Sequence, residues 1–185
     1  MQIATPSTPE LAISQTVAWL QEMVIGLNLC PFARAEHVGK RIRYVVHAGA
    51  DEAALLQTLE DELLQLQATP PAQVETTLII CPELWPEFLD FHIFQASANS
   101  LLKRLGLRGS LQIASFHPRY VFAGCADDDL GNYSNRSPYP TLHLLREESI
   151  ARATESMQDT DSIYTNNMRT LEQLGRAEIE RRWGQ

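Results

Sequence analysis

The chain has 185 residues, of which 44% are hydrophobic and 21% are charged, and this length and composition are typical of one globular domain. The formal net charge at pH 7 is −8. A negative field repels phosphate backbones, so we expect no nucleic-acid partner. The first residues contain no basic segment followed by an apolar stretch, and no run of about eighteen apolar residues occurs. We therefore expect neither secretion nor a membrane partner.

Three cysteines, Cys30, Cys81 and Cys125, form an odd set without a CxxC pair. This pattern is neither a disulfide framework nor a standard zinc motif. Reduced thiols are typical of proteins in the cytoplasm, which is the location that we predict. The sequence identifies no cofactor and no oligomeric state.

The first elements follow from helix signals near the N-terminus. We predict a flexible tail over residues 1–8 and a single α/β domain over residues 9–185. Thr8 can cap a helix that has Pro9 at its first position, and apolar residues at helical spacing continue to Leu27. Pro31 should end this helix, which places Cys30 just beyond it.

Strands and helices then alternate along the chain. The apolar patterns predict strands at 41–47, 76–81 and 110–116, a helix that begins after Asp51, and another from about Pro86 to Leu105. Residues 117–140 form a long irregular stretch. Two helices should follow, one from near Leu142 or Arg146 to about Met157 and one from Asp159 or Asp161 to Trp183.

This alternation predicts an α/β sandwich, with a mostly parallel sheet of three or four strands and flanking helices. A ferredoxin-like α+β arrangement is the alternative, and it requires a fourth strand within residues 141–145. In either case His47, Cys81 and His117 follow the three predicted strands. If the strands are parallel, these side chains share one sheet edge, where open α/β sheets bind their ligands.

The irregular stretch is longer than most structureless connections, and such loops are often functional. Its aromatic residues argue against disorder, so we expect it to cover the sheet edge and line a pocket. The predicted substrate-binding residues are polar side chains in and after this loop: Asn132, Asn135, Arg136, Ser137, His143 and Arg146. Arginine holds carboxylate or phosphate through a planar fork, so the expected ligand is a small polar or anionic molecule. Alternatively, these residues form turns and ion pairs with nearby acids such as Asp127.

His117 and Cys30 are the predicted catalytic residues. Histidine has an ordinary pKa near neutrality, which suits a general acid or base. Cys30 would act as a nucleophile if His117 approached it, and the alternative is an inert buried thiol. A metal site formed by His117, His143 and an aspartate of 127–129 is a further possibility, although no standard ligand spacing supports it.

Three segments resemble a known family: GLNLCPFA at 26–33, SFHPRYVF at 115–122 and NYSNRSPYPTLHLLREESI at 132–150. They are similar to the domain-of-unknown-function family fourteen-fifteen, which is found in bacteria and also in plants. The resemblance extends from about Thr16 to Trp183 and supports one domain, but it implies no activity, substrate or catalytic residue. The motif positions of the family are Cys30, Pro31, His117, Pro118, Asn132, Asn135, Arg136, Ser137, Pro138, His143 and Arg146.

These observations favour a cytoplasmic enzyme that acts on a small polar or anionic metabolite by hydrolysis or group transfer. Two alternatives remain open. One is a small-ligand-binding or regulatory module without catalysis, and the other is a metal-dependent enzyme that uses His117 and His143.

Overall fold

A computed structural model describes residues 8–155 and 161–183. Its helices and strands are α1 (Pro9–Trp19), α2 (Ala33–Val38), β1 (Ile42–Val46), α3 (Glu52–Ala68), β2 (Thr76–Ile80), α4 (Phe88–Arg104), β3 (Leu111–Phe116), β4 (Thr141–Arg146), α5 (Glu147–Glu155), α6 (Asp161–Leu174) and α7 (Arg176–Trp183). A π-helical turn, Leu20–Ile25, continues α1, and a 3-10 helix, Leu130–Ser134, lies within the long loop. Residues 1–7 of the predicted tail lie outside the described residues.

The helix signals in the sequence act as predicted. Thr8 caps α1, since its hydroxyl accepts a hydrogen bond from the Leu11 amide at 3.3 Å. Asp51 caps α3 in the same way, with 3.0 Å between its carboxylate and the Ala53 amide. The short helix α2 was not predicted, because its six residues contain no apolar stripe.

The four strands form one mixed sheet in the order β1-β2-β4-β3. β1 and β2 pair in parallel, whereas β4 is antiparallel to both β2 and β3. The prediction of a mostly parallel sheet was therefore wrong. The long loop after β3 lets the chain reverse direction and insert β4 between its neighbours.

The fourth strand lies in the segment that the ferredoxin-like alternative required. However, the chain order is β-α-β-α-β-β, not the β-α-β-β-α-β order of that fold. The predicted helix start at Leu142 was wrong, since that residue lies within β4, while α5 begins one residue after Arg146. Met157 and Asp159 lie outside the described residues.

Helices cover both faces of the sheet. On one face, the leucines of α3 and the aromatic residues of α4 pack on Ile79, Leu142 and Leu144. On the other, α1, the π-helical turn, α6 and α7 form a second core, which includes the partly buried Tyr44 and Phe116. The alternating orientation of side chains along each strand explains this division.

The C-terminal region forms two helices where the sequence predicted one. Gly175 lies between α6 and α7 with φ of 76°, a left-handed conformation that glycine adopts readily. Ile179 of α7 and Leu171 of α6 are both fully buried in the second core. Within the described ranges, no helix has both the length and the apolar composition needed to cross a bilayer.

Gly26, at the end of the π-helical turn, gives a test of this packing. A methyl group at this position would lie 2.4 Å from the carbonyl oxygen of Glu22, a distance that real Cβ atoms do not adopt. We expect Gly26→Ala to lower the free energy of unfolding by about 1–3 kcal/mol, although alanine is normally the better helix residue. Denaturant unfolding measures this loss. Ser14→Ala, an exposed change on α1, is the control, and an equal effect of both changes would contradict the steric argument.

Candidate functional site

The His117 side chain is fully buried, and both ring nitrogens are hydrogen bonded to backbone. Nδ1 accepts from the Arg119 amide at 3.0 Å, which leaves Nε2–H to donate to the Trp85 carbonyl at 2.9 Å. The ring also stacks on Phe91, with 5.3 Å between ring centroids. Burial lowers the His117 pKa, in agreement with this neutral tautomer. The imidazole therefore connects the end of β3 to the segment before α4.

The two predicted asparagines organise the long loop. Asn132 is fully buried; its side-chain oxygen accepts from the Phe122 amide at 3.0 Å, and its amide group donates to the Ala126 carbonyl at 2.8 Å. Asn135 is partly buried, and its side-chain amide lies 3.5 Å from the Ser115 carbonyl. These contacts close the loop on itself and on β3.

The predicted Arg136 and Ser137 also bond to backbone carbonyls. Arg136 donates to the carbonyls of Tyr120 at 3.3 Å and Asp127 at 2.7 Å, and its guanidinium lies 4.6 Å from the centre of the Tyr133 ring. The buried Ser137 hydroxyl donates to the Tyr139 carbonyl at 2.5 Å. The sequence alternative of an Arg136–Asp127 contact is thus present, but through the backbone of Asp127.

Arg146 stabilises the end of α3. Its Nη2 atom lies 2.8 Å from the Leu66 carbonyl, 2.6 Å from that of Thr69 and 2.9 Å from that of Val74. The last carbonyls of a helix lack partners within the helix, so a cation here is favourable. Burial lowers the Arg146 pKa. This arginine binds the protein's own backbone at the opposite end of the sheet from His117.

Cys30 and His117 lie on opposite faces of the sheet. Cys30 packs against the second core with α1 and α6, whereas His117 packs on Phe88 and Phe91 of α4. Burial is the largest influence on the Cys30 thiol and raises its pKa. The structure therefore does not bring the predicted nucleophile and base together.

His143 and His117 also lie on opposite faces of the sheet. It lies in β4 between Leu142 and Leu144, and its ring faces Phe116 on the side of α1. Burial lowers its pKa to about 4. Among the described residues, no group of three potential metal ligands occurs, and these two histidines do not converge.

The predicted placement of His47, Cys81 and His117 at one end of the sheet is confirmed, because β1, β2 and β3 run in the same direction. The His47 amide donates to the Ile80 carbonyl at 2.9 Å, and the Cys81 amide to the Pro140 carbonyl at 2.9 Å. His117 follows β3 at the same end of the sheet, but β4 separates it from Cys81, and β2 and β4 separate it from His47. Burial raises the pKa of Cys81, whose side chain is fully buried, so this thiol contributes to packing.

A crevice of about 400 Å³ opens beside this edge, between the connections that follow β1 and β2 and the first turns of α4. We call it the carboxyl-edge crevice. Its acidic residues are Glu52, Glu83 and Asp90, and its remaining walls include Leu84, Trp85, Pro86, Ile93, Phe94 and Ser97. Open α/β sheets bind ligands in this position.

Trp85 forms the centre of one wall in a left-handed backbone conformation, with φ of 50°. This conformation is unfavourable for a bulky residue and occurs mainly where the surroundings enforce it. His117 donates to its carbonyl, and its own indole Nε1–H donates to Glu52 at 2.6 Å. The indole also packs on Phe94, with 4.6 Å between ring centroids. Three contacts therefore hold Trp85 in a strained position at the crevice.

This crevice was not predicted from the sequence. Glu52, Glu83 and Asp90 were not among the predicted site residues. The available signal was the segment CPELWPEFLD, where acidic, aromatic and proline residues directly follow a buried strand. Polar loops after strands carry function more often than the strands do.

The family comparison agrees with the three motifs. A model of proteins of unknown function, DUF1415, matches residues 11–181. The chain belongs to this family. No curated protein and no solved structure matches it significantly. The motif residues Asn132, Arg136 and Ser137 here bond to backbone carbonyls of the chain itself.

His143 should make the stability depend on pH. Its pKa of about 4 in the folded protein lies below the ordinary value near 6.5, so the unfolded chain binds the proton first as the pH falls. We expect the free energy of unfolding to decrease between about pH 6.5 and pH 4, with His143 contributing about 1–2 kcal/mol of the loss by pH 5. Denaturant unfolding at pH 7.5 and pH 5 measures it. His143→Gln should reduce the difference, whereas His92→Gln, which removes an exposed imidazole from α4, should not.

The Cys30 thiol should be poorly reactive. In a Cys81→Ala, Cys125→Ser background, we expect the alkylation rate to rise with a midpoint above the free-thiol pKa of about 8.5, since burial disfavours the thiolate. The reaction is stopped after fixed times at each pH from 6 to 10, and mass spectrometry measures the fraction of protein that is alkylated. A midpoint well below the ordinary value would instead restore Cys30 as a nucleophile.

Proposed function

We propose that the protein is a ligand-binding module that holds a small organic cation in the carboxyl-edge crevice. The observation that carries this proposal is the strained Trp85, which His117 and Glu52 hold at the crevice wall. Backbone strain of this kind persists where the surrounding structure enforces it, and such sites are frequently functional. In this proposal His117 positions the wall of the site and does not touch the ligand.

The charge of the crevice supports a cationic ligand. Glu83 and Asp90 are exposed carboxylates at its rim, and Glu52 lies beside the Trp85 indole. The protein as a whole is also negative, so its field attracts cations. We expected an anionic ligand because of the arginines. These arginines bond to backbone carbonyls away from the crevice, so we now propose a cationic ligand instead.

The walls support a ligand that has an apolar part as well as a charge. Leu84, Trp85 and Phe94 are buried side chains that reach the crevice, and Ile93 is an exposed apolar residue at its side. Aromatic rings attract cations through their π faces, by about 0.5–2 kcal/mol. A primary amine on an apolar body satisfies both the carboxylates and the rings.

Binding without catalysis is the better supported of the sequence hypotheses. The enzyme hypothesis used His117 as the acid or base and Cys30 as the nucleophile. Both nitrogens of His117 are hydrogen bonded, and Cys30 lies across the sheet. The metal hypothesis used His117 with His143, which also lie on opposite faces. The three unpaired thiols support placing this function in the cytoplasm.

Benzylamine and benzyl alcohol form a matched pair of probes, since both carry the same ring and only the amine is charged at pH 7. At constant ionic strength, we expect benzylamine to raise the melting temperature of the intact protein in proportion to its binding. Benzyl alcohol should raise the melting temperature much less. Isothermal titration then gives the affinities. Removal of two rim charges, in Glu83→Gln with Asp90→Asn, should weaken benzylamine binding about tenfold.

The control is Asp61→Asn, which removes an exposed carboxylate from α3 outside the crevice lining. It should leave benzylamine binding unchanged. Equal stabilisation by the amine and the alcohol would contradict a cation site. Equal weakening per removed charge by Asp61→Asn and by the rim changes would show that only the general negative field attracts the amine.

A further inference from the structure

A second cavity, of about 280 Å³, lies on the other face of the sheet from the carboxyl-edge crevice. It is formed by α1 with its π-helical turn, the loop before β4, and the end of α7. We call it the aromatic pocket. The residues that matter for its chemistry are Trp19, Glu22, Tyr139, Arg182 and Trp183. Its volume is just below the usual range of about 300–1,000 Å³ for ligand pockets, so it suits a very small molecule.

Three aromatic side chains hold fixed positions around this pocket. The Trp19 ring makes a T-shaped contact with Phe116, and the Trp183 ring makes one with Tyr133, with centroid separations of 5.2 and 5.7 Å. The Tyr139 hydroxyl donates a hydrogen bond to Gln15 of α1. A group of rings that are held in place can receive methylated ammonium groups, which interact with the π faces.

Two further features distinguish this pocket. Trp19 is only 6% exposed, yet its indole N–H has no hydrogen-bond partner within the described part of the chain. Buried donors in native proteins almost always have a partner, so Trp19 is an exception among the residues that line the pocket. In addition, Glu22 lies in a π-helical turn, a rare element that is frequently found at functional sites.

The pocket contains one side chain of each charge. Glu22 is an exposed carboxylate. Arg182 is held by Glu178, with 2.8 Å between Nε and the carboxylate, and its Nη1 atom lies 3.4 Å from the Glu22 carbonyl. Glutamate favours an ammonium group, and arginine favours a carboxylate. Together with the rings, this pair selects a zwitterion over a simple cation or anion.

We propose that the aromatic pocket binds a small trimethylammonium zwitterion, a molecule with a methylated ammonium group and a carboxylate on a short chain. The rings of Trp19, Tyr139 and Trp183 contact the methyl groups, and Arg182 receives the carboxylate. This site is independent of the proposed function, because it lies on the opposite face of the sheet and takes a different ligand.

Three probes separate the contributions of the two charges. Glycine betaine carries both, choline carries the cation without the carboxylate, and 3,3-dimethylbutanoate has the shape and carboxylate of betaine with carbon in place of nitrogen. Isothermal titration of the intact protein at constant ionic strength should show the tightest binding for betaine. We expect the neutral-carbon analogue to bind about tenfold more weakly, which is within the range of a cation–π contribution.

Variants then assign the contacts. Trp183→Leu should weaken betaine and choline alike, whereas Trp183→Phe should retain most of the affinity because it keeps a ring. Arg182→Gln should weaken betaine but leave choline nearly unchanged. Asp61→Asn, an exposed change on α3 outside the lining of both cavities, is the control and should affect neither. Circular dichroism and melting temperature show whether each variant is folded.

The comparison of betaine with its carbon analogue needs only the wild-type protein, so it tests the proposed betaine site even if a variant fails to fold. Equal binding of these two molecules, or no binding of betaine at millimolar concentration, would overturn the proposal. So would betaine binding that survives Trp183→Leu. Failure here would leave benzylamine binding in the crevice unaffected, and success here would not require it.

Discussion

The hydrogen bond from His117 Nε2 to the Trp85 carbonyl joins the end of β3 to the connection between β2 and α4. The other ring nitrogen accepts from the Arg119 amide, and the ring stacks on Phe91. Because the imidazole is buried and neutral, its two nitrogens have opposite roles, one donor and one acceptor, and both are used. The strained conformation of Trp85, the shape of the carboxyl-edge crevice and the start of the long loop all depend on this one side chain.

The polar residues of the long loop also form hydrogen bonds to backbone groups. A loop of this length that packs against a sheet buries many backbone carbonyls and amides, and each needs a partner. Asn132, Arg136 and Ser137 provide those partners, and Arg146 does so for the end of α3. A cluster of polar side chains can therefore resemble a binding site in the sequence while its function is to let an irregular backbone fold compactly.

The two cavities lie on opposite faces of the sheet and differ in chemistry. The carboxyl-edge crevice is acidic and surrounds one strained tryptophan. The aromatic pocket combines rings with one charge of each sign, beside a π-helical turn. Both form where connecting segments meet helices, because the sheet itself is covered by packed side chains. The loop after β3 contributes to both cavities. It begins at His117, which bonds to the Trp85 carbonyl at the crevice, and it ends near Tyr139, which lines the aromatic pocket.

The sequence by itself determined the local elements, since caps at Thr8 and Asp51 and the apolar periods act over a few neighbouring residues. It also placed His47, Cys81 and His117 at one edge, because β1, β2 and β3 run in the same direction. The strand at 141–146 could not be distinguished from a helix start, because the segment is short and the strands that pair with it are distant in the chain. Only the tertiary structure decided which face each polar residue lies on. It separated Cys30 and His143 from His117, and it brought Trp85 and three carboxylates together, because such contacts depend on how the faces of the sheet are covered and not on spacing along the chain.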